Sequence, residues 1–426
     1  MMMDNARAVK RIGRNAVARL AAQVASRLLS LALVALVARY ENAVSLGRYA
    51  LIMTVVSILG AVADLGLNVW LTREVARLDE GEGQREALGI VLQLKLGLSM
   101  VGMLLLSAAA LAGPWPEPTQ RALFVGSLLL VPEEVLGALR AFVNGRQRME
   151  ISALVDVFVR AIGLAGSTAA LELGLSIGGV LIATAGASAI GVLLYSGVLW
   201  RWRSWPALRL APARWRTTLI VSYPFALTGI IAMAYARGGL LLLGFWQGEA
   251  AAGWYSAAHK LWEAVAMVPA NIIDAMFPEI SRLAVSREGA RRLRQLLCSA
   301  LLAMLAVGLL MSLAGIIGAG VLVRLLYGAD GGYAAAVLPF QLLICAAPAT
   351  FAYLLGGHLL YALDQQRRVT SIMLAVGLSN LLLNALTIPR WSYVGVAGVA
   401  LFSEWALAAL LFTQGRRALE EQTRVG

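Results

Sequence analysis

Long apolar stretches separated by short polar punctuation set the pattern of this chain. Runs of about 20 apolar residues recur twelve times, at roughly 15–38, 49–70, 87–111, 121–144, 150–172, 177–200, 217–246, 252–278, 295–323, 334–361, 369–388 and 393–414. At about 1.5 Å rise per residue, each is long enough to cross a bilayer as a helix. Proline interrupts some of them, as in Ser222-Tyr223-Pro224 and Met267-Val268-Pro269. Membrane helices tolerate such breaks where neighbours satisfy the freed backbone groups. The pattern predicts an all-α polytopic membrane protein with about twelve transmembrane helices.

Composition strengthens this reading. Of 426 residues, 60% are apolar and 14% charged, against about 45–50% and 25% in ordinary soluble domains. The first run is too long for a signal-peptide core and leads into further spans. The net charge of +12 is resolved by position. With the N-terminus inside, 24 of the 36 Lys and Arg residues fall on the cytoplasmic side. Clusters lie at 7–14, 73–85, 146–148, 201–216, 282–294, 367–368 and 416–424. The outer loops carry five: Arg39, Arg48, Arg121, Arg324 and Arg390. This positive-inside asymmetry predicts two cytoplasmic termini. The tail bearing Arg7, Lys10, Arg11 and Arg14 reads as a solvated basic anchor or a short amphipathic surface helix.

The two halves resemble one another. The segment from Arg39 to Tyr49 follows the first span, and that from Phe245 to Tyr255 follows the seventh. Both have the same length and end in Gly-x-Tyr. A repeat of six spans starts both copies on the same side, predicting two six-helix bundles related by a pseudo-two-fold axis along the membrane normal. The basic stretch 201–216, with Pro206 and Pro212, reads as the linker, giving lobes 1–205 and 206–426.

Several chemistries are excluded. None of Lys10, Lys95 and Lys260, the three lysines, is followed by Ser or Thr, so there is no P-loop; no HExxH occurs around His259 or His358. Cys298 and Cys345 have no paired spacing. No cofactor, metal or nucleic-acid partner is expected. The outer loops near 112–120 and 324–333 are too short to carry a catalytic domain, and Pro114-Trp115-Pro116-Glu117-Pro118 reads as a stiff interfacial turn. Transport is therefore favoured over a membrane glycosyltransferase or ligase.

The remaining seven cations lie inside the spans: Arg19, Arg27, Lys95, Arg140, Arg160, Arg237 and Lys260. Acidic residues at depth are Glu133, Glu134, Asp156, Glu263 and Glu404, with Asp64 and Asp274 nearer the cytoplasmic ends. Each ionisable group at the bilayer centre costs about 2.5–3.5 kcal/mol on insertion scales, so it pairs or lines a cavity. Asp156 with Arg160, and Lys260 with Glu263, have the spacing to pair along one helix face. Arg140 follows Glu133 by two turns. Arg27, Lys95 and Arg237 have no acidic neighbour on their own helix, so they either pair across helices or face a watery cavity awaiting an anion. Arg19, Gln23, Ser26, Arg27 and Ser30 form one polar stripe on the first span. Arg19 can snorkel to the surface; Arg27 lies deeper, and its guanidinium suits a phosphate. Glu404 reads either as a proton- or cation-coupling carboxyl or as a hydrogen-bonded structural acid.

Leu46-Gly47-Arg48-Tyr49-Ala50-Leu51, Ala63-Asp64-Leu65-Gly66-Leu67-Asn68 and Leu71-Thr72-Arg73-Glu74-Val75-Ala76-Arg77 are joined by two later segments. These are Gly253-Trp254-Tyr255-Ser256-Ala257-Ala258-His259-Lys260-Leu261 and Ala275-Met276-Phe277-Pro278-Glu279-Ile280-Ser281-Arg282-Leu283. Together they resemble the oligosaccharide flippases, O-antigen and exopolysaccharide translocases of the multidrug/oligosaccharidyl-lipid/polysaccharide exporter (MOP) superfamily. The resemblance implies a two-lobed transporter with a cationic cavity in the bacterial inner membrane. Its substrate would be an undecaprenyl-diphosphate-linked oligosaccharide moved to the outer leaflet by alternating access. Membrane lipids and a polysaccharide polymerase machinery are the implied partners. Arg27, Lys95 and Arg237, with Arg19, Arg160 and Lys260, are where this chain can supply cavity charge. Glu404, Glu263 and Asp156 are the candidates for ion coupling. Multidrug or metabolite efflux and lipid II flipping are the alternatives within the superfamily.

Overall fold

A computed structural model describes the backbone of residues 2–208, 212–285, 289–328 and 332–425. Side chains are described within 21–208, 212–227, 229–273, 275–284, 292–328 and 332–419. The fold is all-α, with no strand among the described residues. In order come α1 (Met2–Tyr40), α2 (Ala43–Asp64), α3 (Leu67–Arg77), α4 (Glu82–Ala112), α5 (Glu117–Ser127), α6 (Leu130–Gly145), α7 (Met149–Glu172) and α8 (Ser176–Arg201). Then follow α9 (Pro212–Val285), α10 (Gly289–Tyr327), α11 (Val337–Ile344), α12 (Ala347–Ala362) and α13 (Gln366–Val425).

Ten described helical segments are long and apolar enough to cross a membrane. Two of them, Gly229–Ala284 and Gln366–Leu419, run to 56 and 54 residues. Each folds back on itself. Gly248, at φ 79°, interrupts α9 between arms 212–247 and 249–285. Arg237 and Glu263 nevertheless form an ion pair at 3.6 Å, whereas a straight helix would hold them about 39 Å apart. Ser392, at φ 49°, interrupts α13 in the same way. Across it Asn380 Nδ2 donates to Ser403 Oγ at 2.8 Å, against about 35 Å along a straight helix. Counting the arms separately gives twelve crossings, the number read from the hydrophobic runs.

Contacts divide the chain into two compact units. The first holds Met1–Tyr40 and Arg48–Met233; the second holds Glu41–Gly47 and Ala234–Gly426. The sequence expectation sets the lobe boundary at 205/206, in the basic linker, whereas the contact division falls inside α9. The reason lies in how the linker is fastened. Ala207 N donates to Arg85 O at 3.0 Å, and Arg85 Nε returns a bond to Trp205 O at 2.9 Å. Arg214 pairs with Glu86, and Trp215 Nε1 donates to Gln93 Oε1 at 3.0 Å. A Cβ on Gly89 would lie 2.1 Å from Ala207 O, so the strap rests directly on the α4 backbone.

Within the first unit, α3 shows why the core forms. Leu67, Leu71 and Val75 recur at helical spacing and are buried with Leu88, Val91, Phe142 and Tyr195 of α4, α6 and α8. Because lipid is as apolar as leucine, such contacts stabilise mainly through close packing. The helix before it breaks at two consecutive left-handed residues, Leu65 (φ 43°) and Gly66 (φ 76°). A Cβ on Gly66 would lie 2.7 Å from Ser222 O, so the first arm of α9 seats on the break. The second unit has its own apolar core, in which Ile273, Ile280, Leu293, Phe351 and Leu355 are buried together.

The Gly-x-Tyr repeat has a structural counterpart inside the second unit. A Cβ on Gly47 would sit 1.7 Å from Glu249 O, and one on Gly253 would sit 1.9 Å from Ala43 O. Each glycine thus rests on the carbonyl four residues before the other. The contact is reciprocal, and only glycine fits on either side.

Candidate functional site

In the first unit, three helices converge on Lys95 of α4, whose side chain is fully buried. Its Nζ lies 2.9 Å from Asp64 Oδ1 at the end of α2 and 2.8 Å from Glu134 Oε2 on α6. It donates to Asn68 Oδ1 on α3 at 2.9 Å. Two carboxylates and one amide oxygen thus crowd a single ammonium at 2.8–2.9 Å. Two glycines leave room for this head group. A Cβ on Gly137 would approach Lys95 Nζ at 3.3 Å, and one on Gly60 would approach Glu134 Oε1 at 2.8 Å. Of the alternatives open to Lys95 from sequence, the structure shows pairing across helices. Asp64, Asn68 and Glu134 were not singled out as its partners. Charge in an apolar run marked Glu134 at depth and Asp64 nearer a cytoplasmic end, and nothing marked Asn68.

A second group joins α6 and α7. Arg140 Nη2 lies 2.8 Å from Asp156 Oδ1. The on-helix pairing of Asp156 with Arg160 gives way to this cross-helix bond. Arg160 is exposed and interacts electrostatically with Asp156, but among the described residues it has no ion pair or hydrogen bond. Glu133 accepts from Ser188 Oγ at 2.6 Å, so it is engaged by α8 as well as interacting with Arg140.

Arg27 on α1 is exposed, with Gln23 also exposed and Ser26 and Ser30 half-buried on the same stripe. No ion pair or hydrogen bond engages Arg27 among the described residues. Arg19, and with it Asp274, lies outside the described side chains. Helix α1 packs along α7, so the exposed Arg27 and Arg160 stand on neighbouring helices.

The second unit gathers its charges around Glu263, in the second arm of α9. Lys260 Nζ lies 2.8 Å from Glu263 Oε2, the on-helix pairing expected from spacing. His259 Nδ1 and Arg237 Nη2 each lie 3.6 Å from Glu263 Oε1. Arg237 therefore also finds an acidic partner on another arm, and its side chain remains 36% exposed. Beside this group, His259, Tyr235, Asn380, Asn384 and Glu404 line a cavity of about 70 Å³. Thr350 Oγ1 donates to Glu404 Oε2 at 2.7 Å, and Tyr235 OH donates to Oε1 at 3.4 Å. Asn384 Nδ2 donates to Asn380 Oδ1 at 2.9 Å. Sequence reasoning found Glu404 and missed the two asparagines, which carry no charge to mark them inside an apolar run. Among the described residues, no group of three or more His, Cys, Asp or Glu side chains is placed to hold a metal ion.

Known proteins bear on this arrangement. The sequence matches the family model described as polysaccharide biosynthesis protein over residues 12–284. No curated protein matches the chain in sequence. Among solved structures, the lipid II flippase MurJ in an inward closed conformation superposes with a TM-score of 0.77 at 13% identity, covering 96% of this chain and 90% of that one. An inward-facing multidrug resistance MATE family transporter of the MOP superfamily also gives 0.77, at 15% identity, covering 96% and 99%. A MOP superfamily transporter from Pyrococcus furiosus, described as having a binding pocket of reversed polarity, gives 0.59 at 14% identity, covering 96% and 95%. At these identities the likeness establishes the fold: a two-lobed, multi-pass membrane architecture shared with MOP transporters. The family match covers well over half of the sequence, and the chain belongs to the polysaccharide biosynthesis protein family.

Proposed function

We propose that this protein is a flippase carrying a polyprenyl-diphosphate-linked oligosaccharide from the cytoplasmic to the outer leaflet of the bacterial inner membrane. In this reading both termini are cytoplasmic, as the positive-inside asymmetry suggests, and the glycan is destined for a cell-surface polysaccharide such as O-antigen or exopolysaccharide. The observation that carries the reading is the state of Arg27 and Arg160. Both are exposed on apolar spanning helices, and neither has a bonded partner among the described residues. A guanidinium that makes no direct ion pair or hydrogen bond at that depth is costly unless an anion or water meets it. Its planar fork matches a phosphate with two parallel hydrogen bonds.

In this reading the diphosphate is held by Arg27 and Arg160, with Arg19 as a further cationic contact, while the polyprenyl tail stays in lipid; Arg237 and Lys260 are the cationic candidates of the second unit. Alternating access of the two lobes then exposes the headgroup to the other face. Lys95 contributes through its buried cluster, because two carboxylates and an amide already surround it. Glu404, in its cavity, is the first candidate for coupling to a cation or proton gradient, ahead of Glu263 and Asp156, which are held in ion pairs. Organic-cation efflux is the competing reading, and it calls for free acidic groups where this chain exposes arginines.

The test is flipping of an undecaprenyl-diphosphate-linked oligosaccharide in proteoliposomes. Arg27→Ala and Arg27→Glu are each expected to lower the rate at least tenfold, the charge reversal more. Full activity in both variants would remove Arg27 from substrate binding.

A further inference from the structure

The Lys95 cluster carries more negative than positive charge, and its neighbours do not supply the difference. Helix α4 packs against α3, α5 and α6 and is bonded by the first arm of α9, whose Arg214 is matched by Glu86. The charged groups acting on Glu134 are Lys95, Asp64 and Glu133. Glu133 belongs to the other group, where Glu133 and Asp156 face Arg140 and Arg160 in equal number. The first arm of α9 meets the break at Gly66 through Ser222, Phe225 and Ala226, none of them charged. One ammonium is thus left between two carboxyls. Lys95 is fully buried, and Asp64 and Glu134 are only 22% and 13% exposed.

We propose that Asp64, Lys95 and Glu134 form a proton-binding site at the break between α2 and α3, distinct from the Glu404 cavity. With both carboxyls ionised the cluster would hold a net negative charge inside an apolar wall, which is expensive. A single proton on one carboxyl restores neutrality without displacing any side chain. The ligand is a proton and not a metal cation, because the ammonium already fills the centre of the acceptor set at 2.8–2.9 Å.

The position gives the proton mechanical leverage. Lys95 grips both sides of the helix break, through Asp64 at the end of α2 and Asn68 near the start of α3. Asn68 N also donates to Asp64 Oδ1 at 3.3 Å. Loading or removing the proton changes how tightly α2 and α6 are drawn to Lys95, in the place where the first arm of α9 seats on Gly66. The inference adds a proton step to the flippase reading, but binding of the proton does not depend on what is carried.

The experiment is infrared difference spectroscopy of the purified full-length protein in lipid nanodiscs, comparing neutral with alkaline pH. A protonated buried carboxyl gives its own carbonyl band. Glu134→Gln and Asp64→Asn each leave a neutral ion pair with Lys95, and each is expected to abolish one protonated-carboxyl signal. Lys95→Met is expected to add one, and Glu404→Gln to leave the cluster's band in place. A spectrum unchanged by both Glu134→Gln and Asp64→Asn would overturn the proposal. The unaltered protein supplies an independent check, since sodium at constant pH is expected to leave the band untouched. Loss of the band on adding sodium would assign the site to a metal cation instead. Failure of Arg27 variants to impair flipping would leave these spectra unaffected, so the two readings fall separately.

Discussion

Lys95 and Glu263 are charge hubs built in opposite senses. In the first unit one cation is enclosed by two carboxyls and an amide oxygen, and it is wholly shut off from solvent. In the second unit one carboxylate is approached by a lysine, an arginine and a histidine, and every member keeps between 19% and 36% exposure. The first arrangement is short and closed. The second is looser, with two of its three contacts at 3.6 Å, and leaves surplus positive charge within reach of a ligand. A buried hub fixes helices in register; a half-open one can exchange partners. Net charge alone would have treated these lysines and arginines as equivalent.

Five substitutions, two of them added to Lys95→Met, sharpen this contrast through thermal or denaturant unfolding of the purified protein. Lys95→Met should be the most damaging, since removing one partner of a buried ionic group costs about 3–5 kcal/mol. Adding Asp64→Asn and Glu134→Gln to it should recover much of that loss; no recovery would mean that packing, not charge, holds the cluster. Glu263→Gln should cost less, about 1–2 kcal/mol, because its partners can turn to water. A cost equal to that of Lys95→Met would erase the distinction between the hubs. Arg27→Ala should change stability by no more than about 0.5 kcal/mol, as expected for a side chain without bonded partners. A larger loss would place Arg27 in the structural framework.

The twelve crossings were legible because a bilayer imposes a length on every apolar run, and 15–38 or 177–200 satisfy it without knowledge of any neighbour. The hairpins at Gly248 and Ser392 were legible for the same reason, since polar punctuation separates the seventh run from the eighth and the eleventh from the twelfth. What spacing could not reveal was which cation meets which acid across helices. Asp156 has Arg160 one turn away, yet its partner is Arg140 on another helix. Lys260 and Glu263 do pair as their spacing suggests, but spacing said nothing of Arg237 and His259 joining them. A helix face predicts neighbours along itself. Partners across a bundle depend on rotations that only packing decides.

The reciprocal seat of Gly47 and Gly253 carries a thermodynamic consequence. A contact made by two backbones freezes no rotamers, so no side-chain entropy is lost when it forms and none is recovered if it parts. The backbone entropy has already been spent in making the helices. Its strength therefore comes from close-range dispersion and from Cα–H groups lying on carbonyl oxygens. Such a joint should vary less with temperature than one built from long side chains, and it has no alternative packing in which to become trapped.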